Sequence, residues 1–336
     1  MTMMKTAVAA AASLILLAAC QKSPPPPEPA PAPAPPPKPA APPTLWEAYQ
    51  STLKQAKYID LTHAFNPSIP VWPGFGPAKF KPSIAGHDVA GLVKKGQEYK
   101  YKPHGFIATA YEFTTDQYGT QLDPPAHWDE YGATISDLPP TFSVRPLVVI
   151  DIHEQAARDP NYHCTVADIQ SWETRHGTIP EGAVVMIRSD WYKKWNEPQR
   201  FAIAPFPGIK LDALKFLHLE RKILFHGHEA LDTDTTPSLE GESWLMHNHF
   251  AQAEGVANLD QVPEAGALIT IGFAKPEGGT GGYARYVAIA PPDWPHGVTI
   301  AEAPGAPLPK QQFPLKRDKD GVLRPTNETK ETKGTK

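Results

Sequence analysis

Apolar and polar positions change their rhythm along the chain. Residues 6–19 are dominated by Ala, Val, Leu and Ile, residues 24–43 by Pro, and from residue 45 short apolar runs alternate with amphipathic stretches. The apolar run at 147–152 predicts a buried strand, and Thr165 caps a predicted helix over 166–176 that Gly177 stops. A second strand is predicted at 183–187, an amphipathic helix at 211–219, a short strand at 223–225 and a helix at 243–253. Strands at 267–271 and 286–289 close the series. Before residue 146, Pro, Gly and Trp interrupt the chain too often for long helices, so strands and loops are expected there. Strands alternating with helices predict an α/β domain, and the hairpin-like spacing of the early strands predicts a mixed sheet.

Composition sets the boundaries. Lys5, the apolar stretch and Leu17-Ala18-Ala19-Cys20 have the layout of a secretory signal, too short to span a bilayer. The small-small-Cys ending resembles the lipobox of bacterial lipoproteins. That resemblance implies a signal peptide at 1–19, acylation of Cys20 and export, and Gln21 after the Cys resembles an outer-membrane address facing the periplasm. Acyl chains at about 0.8 kcal/mol per buried methylene make a stable anchor. Of the chain's 40 prolines, 13 lie in a linker over 20–44, which reads as a semi-rigid spacer. The folded domain is expected at 45–303, and the Lys-, Asp-, Glu- and Thr-rich tail at 304–336 is expected to be disordered.

The net charge of −4 and the lack of a basic stripe give no electrostatic case for nucleic acid. With Cys20 acylated, Cys164 is left alone, so no internal disulfide is expected, and it reads as a small apolar residue.

The chemistry concentrates at Asp116-Gln117-Tyr118-Gly119-Thr120-Gln121-Leu122-Asp123-Pro124-Pro125-Ala126-His127-Trp128. Ligand-capable groups recur at 117, 121, 123 and 127, with Gly and Pro shaping the backbone between them. The segment resembles the signature of the cyclase family, which includes bacterial kynurenine formamidases and isatin hydrolases: His-x-Gly-Thr-His-x-Asp-x-Pro-x-His. Gly119, Thr120, Asp123, Pro125 and His127 match it. Asp60-Leu61-Thr62-His63, Pro70-Val71-Trp72-Pro73-Gly74, the stretch 182–191, Phe206-Pro207-Gly208 and the block from Glu254 to Asp260 resemble further family blocks, in family order.

The resemblance implies a swivelling β/β/α domain with flanking helices and a metal-dependent hydrolase of amide C–N bonds, arylformamidase-like, acting on a formamide, lactam or other cyclic amide. It implies that Asp123 is a metal ligand, that His127 is the acid/base, and that Glu254 is a ligand or second base. Both family His ligands are Gln here, Gln117 and Gln121. An oxygen-rich set shifts preference from Zn toward a harder divalent ion such as Mn.

For the downstream His ligand, an ungapped match from Glu254 lands on Glu242, with His247 and His249 as neighbours. On a single helix His247 shares a face with Glu254, so His247 is the preferred metal candidate. His226 and His228 are expected in structural or supporting positions. Trp72, Tyr118 and Trp128 are expected to line a substrate pocket. The second class of function is a small-molecule-binding lipoprotein on the same scaffold. The resemblance leaves a homo-oligomer open.

Overall fold

The computed structural model describes residues 44–326. The expected signal peptide, the Cys20 anchor, almost all of the Pro-rich linker and residues 327–336 lie outside the described residues.

Eight strands build the domain: β1 (Lys57–Asp60), β2 (Gln121–Asp123), β3 (Val144–Asp151), β4 (Val184–Arg188), β5 (Phe225–His228), β6 (Ala251–Glu254), β7 (Ala267–Phe273) and β8 (Gly282–Ala290). Their order is β1-β8-β7-β3-β4-β5-β6-β2, and β2 also pairs with the start of β8, closing the sheet into a barrel. The run β3-β4-β5-β6 is parallel and the remaining pairings are antiparallel. This is the mixed sheet that the sequence predicts.

The central parallel strands β3 and β4 are apolar on both faces because both are covered. Leu147, Val149, Val184, Met186 and Phe225 belong to one buried cluster with Tyr286 and Ile269. Val148, Ile150, Val185 and Ile187 belong to the opposite one, packed on helices. Those helices are α1 (Val166–His176), α2 (Leu211–Lys215, continued by a π-helical turn Phe216–Glu220) and α3 (Glu240–His247). The first ends as its sequence predicts. Thr165 and Asp168 form a reciprocal capping box, and Gly177 follows the last turn at φ 88°. Ile169 and Trp172 are its buried face, and Cys164 is buried in the same layer.

Two expectations are corrected. The helix predicted at 243–253 is instead α3 ending at His247, a turn with His249 at φ 62°, and strand β6. Tertiary pairing with β5 and β2 decides the conformation of 251–254, whose Ala-Gln-Ala-Glu sequence suits either state. The tail from 304 is also ordered through 326: Leu315–Arg317 and Leu323–Pro325 form a hairpin. Arg317 anchors it by donating to the Ala108 carbonyl at 2.8 Å and to Thr109 Oγ1 at 2.9 Å.

Candidate active site

Registration across β5, β6 and β2 creates the site. Gln252 on β6 sits opposite His226 on one side and Asp123 on the other. Glu254 sits opposite Gln121. Directly paired residues share a face, so these polar side chains and His228 form rows on the helix-side face. Phe225, Leu122, Ala251 and Ala253 occupy the other face, in the apolar cluster.

Hydrogen bonds knit the rows. Gln121 Nε2 donates to Glu254 Oε2 at 2.9 Å and to Asp123 Oδ2 at 3.2 Å. Gln252 Nε2 donates to Glu254 Oε1 at 3.0 Å, and Thr233 donates to Gln252 Oε1. The turn before β2 is equally fixed. Thr120 Oγ1 donates to the Gly255 carbonyl at 2.6 Å and accepts from the His63 backbone. Gly255 is at φ 61°, and a Cβ there would lie 2.9 Å from the Gly119 carbonyl oxygen, so only glycine allows this approach.

After β2, Pro124 leads into a tight turn, Pro125–His127, that delivers the His127 ring. His127 Nε2 lies 3.7 Å from Glu242 Oε1, while its Nδ1 lies 3.2 Å from Gln117 Nε2. Burial pulls the His127 pKa below its ordinary value, with Asp116 opposing weakly. Glu242 comes from α3, is buried, and accepts the Trp128 indole N–H at 3.0 Å.

Asp123, Glu242 and Glu254 form a buried acidic cluster, with the half-buried Asp232 beside them. Burial pushes Asp123 and Asp232 up to about 7. It pushes Glu242 and Glu254 well above the carboxylate range, and the neighbouring acids push the same way. Asp123 Oδ1 and Glu242 Oε2 are buried without a hydrogen-bond donor among the described residues.

The cluster opens into a cavity of roughly 200 Å³. Trp72, Phe75 and Trp128 are its aromatic walls, and Val71, Leu231 and Leu239 add apolar surface. The Trp128 indole is tied to Glu242.

The structure brings Gln117, Gln121, His127, Glu254, Trp72 and Trp128 to this cavity, with Asp123 beneath it. It does not bring His247. That residue ends α3, is exposed, and turns Nδ1 to the Ser243 carbonyl at 2.7 Å. Since β6 is a strand, the shared helix face that favoured His247 does not exist. The ungapped position, Glu242, is the one in the site. Tyr118 is also displaced from its expected role. Fully buried, it accepts from the Ala78 backbone at 3.1 Å and donates to the Asn66 carbonyl at 3.0 Å, holding loops together behind the pocket.

Sequence reasoning missed Asp232, Gln252 and the role of Glu242. A signal for part of the set existed: His-Gly-His, Gln-Ala-Glu and Gln-Leu-Asp all alternate polar residues with period two, as strands with one polar face do.

As to a metal, both ends of the Gln117 amide are already hydrogen-bonded. Its Oε1 accepts from the Thr115 hydroxyl and its Nε2 donates to the Thr280 carbonyl at 2.9 Å. Gln121 gives its amide nitrogen to carboxyl groups. Among the described residues, no group of three or more His, Cys, Asp or Glu is gathered to hold a metal ion as the side chains stand. Charge and donor chemistry nevertheless fit a cation. Buried acids that repel one another, with two oxygens lacking donors, are neutralised either by protons or by a positive ion. Asp123, Glu242 and Glu254 are the residues that would hold it, and an all-oxygen set suits a hard ion.

Comparison with known proteins adds the context. The model of the Cyclase family, described as "Putative cyclase", matches residues 59–235. An isatin hydrolase of Roseibium aggregatum is 28% identical over 255 residues, covering 70% of this chain and 93% of that protein. The structure of isatin hydrolase A from Labrenzia aggregata bound to benzyl benzoate aligns with a TM-score of 0.62 at 27% identity, over 74% of this chain and 98% of the other. That of isatin hydrolase A from Ralstonia solanacearum aligns at 0.63 and 28%, over 75% and 99%.

Proposed function

The chain belongs to the cyclase family, and from that premise we propose that it is a hydrolase opening the amide C–N bond of a planar cyclic amide, with a divalent cation at Asp123, Glu242 and Glu254. The observation that carries this reading is one cavity in which a buried acidic cluster and His127 face two indole walls. Its similarity to isatin hydrolases supports a fused-ring lactam as the first substrate class. Formamides of aromatic amines are the second.

A cation bound there supplies Lewis acidity, polarising a carbonyl and bringing the pKa of a water toward neutrality. The chain's own residues do the rest. Trp72, Phe75 and Trp128 offer flat apolar surface to a ring, and Leu231 and Leu239 help to exclude water from it. Glu242 holds the Trp128 indole in place. At the polar end, His127 and the carboxyl groups are the groups that can move or hold protons at the carbonyl and the leaving nitrogen. Gln121 and Gln252 fix the Glu254 carboxyl from both sides. The donor set favours Mn over Zn. Cys20 would tether the domain to a membrane outside the cytoplasm, a part of the proposal that rests on residues 1–20 alone.

The test is hydrolysis of isatin and of an N-formyl arylamine by the full chain, before and after chelation. Turnover that chelation abolishes and Mn restores is expected. Chelator-insensitive ligand binding without turnover would overturn the reading in favour of a binding protein.

A further inference from the structure

Gln117 stands where the family pattern has His, and its surroundings fix which way its amide faces. Its Nε2 lies 2.9 Å from the Thr280 carbonyl oxygen. A carbonyl only accepts, so the nitrogen, and not the oxygen, must be on that side. The Oε1 end is taken by the Thr115 hydroxyl. The Thr280 segment is itself clamped, because Asp116 Oδ2 accepts from the Thr280 N–H at 2.7 Å and the Gly281 N–H at 2.9 Å. Gly281 then packs on the amide so closely that a Cβ would lie 2.7 Å from Nε2.

The amide nitrogen has a second hydrogen, with His127 Nδ1 at 3.2 Å and the Thr280 hydroxyl oxygen at 3.3 Å as its acceptors. An N–H on Nδ1 would point at the amide's own N–H, so the contact favours the lone pair on His127 Nδ1. In the neutral ring the proton is then on Nε2, which faces Glu242. An amide does not titrate in this range, so the arrangement does not depend on a second group's charge.

We infer that Gln117 is a positioning residue that fixes His127 in the Nε2–H tautomer, so that the ring meets substrate as a hydrogen-bond donor to the carbonyl oxygen and not as the base. This rests on the hydrolase reading for its chemical consequence, but not for the tautomer. Water adds to the carbonyl carbon and its proton passes to a carboxylate of the cluster. The Nε2–H group holds the oxygen that gains charge. When the C–N bond breaks, the carboxylic acid returns that proton to the leaving nitrogen, so one water is consumed and the protein is unchanged. A neutral imidazole used as a donor in this way is established chemistry for carbonyl polarisation.

The test is a long-range ¹H–¹⁵N correlation spectrum of the full chain labelled with ¹⁵N-histidine, with His127 assigned by difference from His127→Gln. The unprotonated nitrogen is expected at Nδ1. Gln117→Met, which keeps size but removes the donors, should shift the ring toward a mixture of tautomers and cut turnover about tenfold or more. A wild-type spectrum with the proton on Nδ1 overturns the inference whether or not the variant folds. So does a Gln117→Met spectrum identical to the wild type. If the spectrum is as expected but no lactam or formamide is hydrolysed, it is the hydrolase reading that has failed.

Discussion

The indole N–H of Trp128 donates to Glu242 Oε1 at 3.0 Å, and the same oxygen lies 3.7 Å from His127 Nε2. One carboxyl oxygen therefore joins a wall of the pocket to its chemistry. Trp128→Phe keeps a flat ring but removes that donor. With a cation bound and Glu242 ionised, this hydrogen bond contributes about 1.5 kcal/mol or more, so kcat/KM on the best lactam should fall roughly tenfold. Steady-state kinetics check this. No change would mean that the indole serves as apolar surface alone.

The acidic cluster predicts how cation binding responds to mutation. Asp123→Asn and Glu242→Gln should each lower the Mn retained by the purified chain, read by elemental mass spectrometry, while circular dichroism stays that of the wild type. His247→Ala should retain the wild-type amount, because its ring lies outside the cavity on an exposed helix end. Loss of metal in His247→Ala alone would reverse the assignment.

For His127, removal of the ring should leave metal content intact and cut turnover by about 10²–10³-fold, the scale of one donor aimed at a developing oxyanion. Turnover within twofold of the wild type would exclude the ring from the reaction.

A file of buried histidines behind the site predicts acid sensitivity. His218, His226 and His228 have all their ring nitrogens buried without hydrogen-bond partners among the described residues, although His228 Nε2 lies 3.7 Å from Glu254 Oε1. Burial lowers His218 to about 3 and His228 to about 4. The unfolded chain takes up these protons near pH 6.5 and the folded chain does not. Each ring's stabilising contribution is thus full above about pH 6.5 and is lost as pH falls toward its folded value. At pH 5 this costs about 2 kcal/mol per ring. His218, whose ring lies 4.4 Å from the Phe250 ring, is the position to test. In denaturant titrations at pH 7 and pH 5, His218→Phe should lose about 2 kcal/mol less than the wild type. Equal losses would show that His218 is not the acid-sensitive group.

Much of the frame was legible before folding. Thr165 and Gly177 delimit α1 because capping is local, requiring only residues within one turn. The runs at 147–152 and 183–187 announce themselves because a strand buried on both faces must be apolar. Gly119, Thr120, Asp123 and His127 stood out because they lie within one short stretch and match a known order of residues.

Tertiary structure alone decided the rest. Whether 251–254 is helix or strand depends on partners at 225–227 and 121–123, not on its own sequence. Glu242 enters the site only because α3 packs against the turn that carries His127 and Trp128, and no spacing along the chain encodes that distance. The amide of Gln117 is the sharpest case. As a residue type it could ligate a cation through its oxygen. The Thr280 carbonyl, 163 positions away, turns its nitrogen inward instead, because an acceptor facing an acceptor is repelled. Sequence by itself determined which groups were present and which local elements carried them. The long-range approach of backbone and side chains determined which atoms of those groups face the substrate.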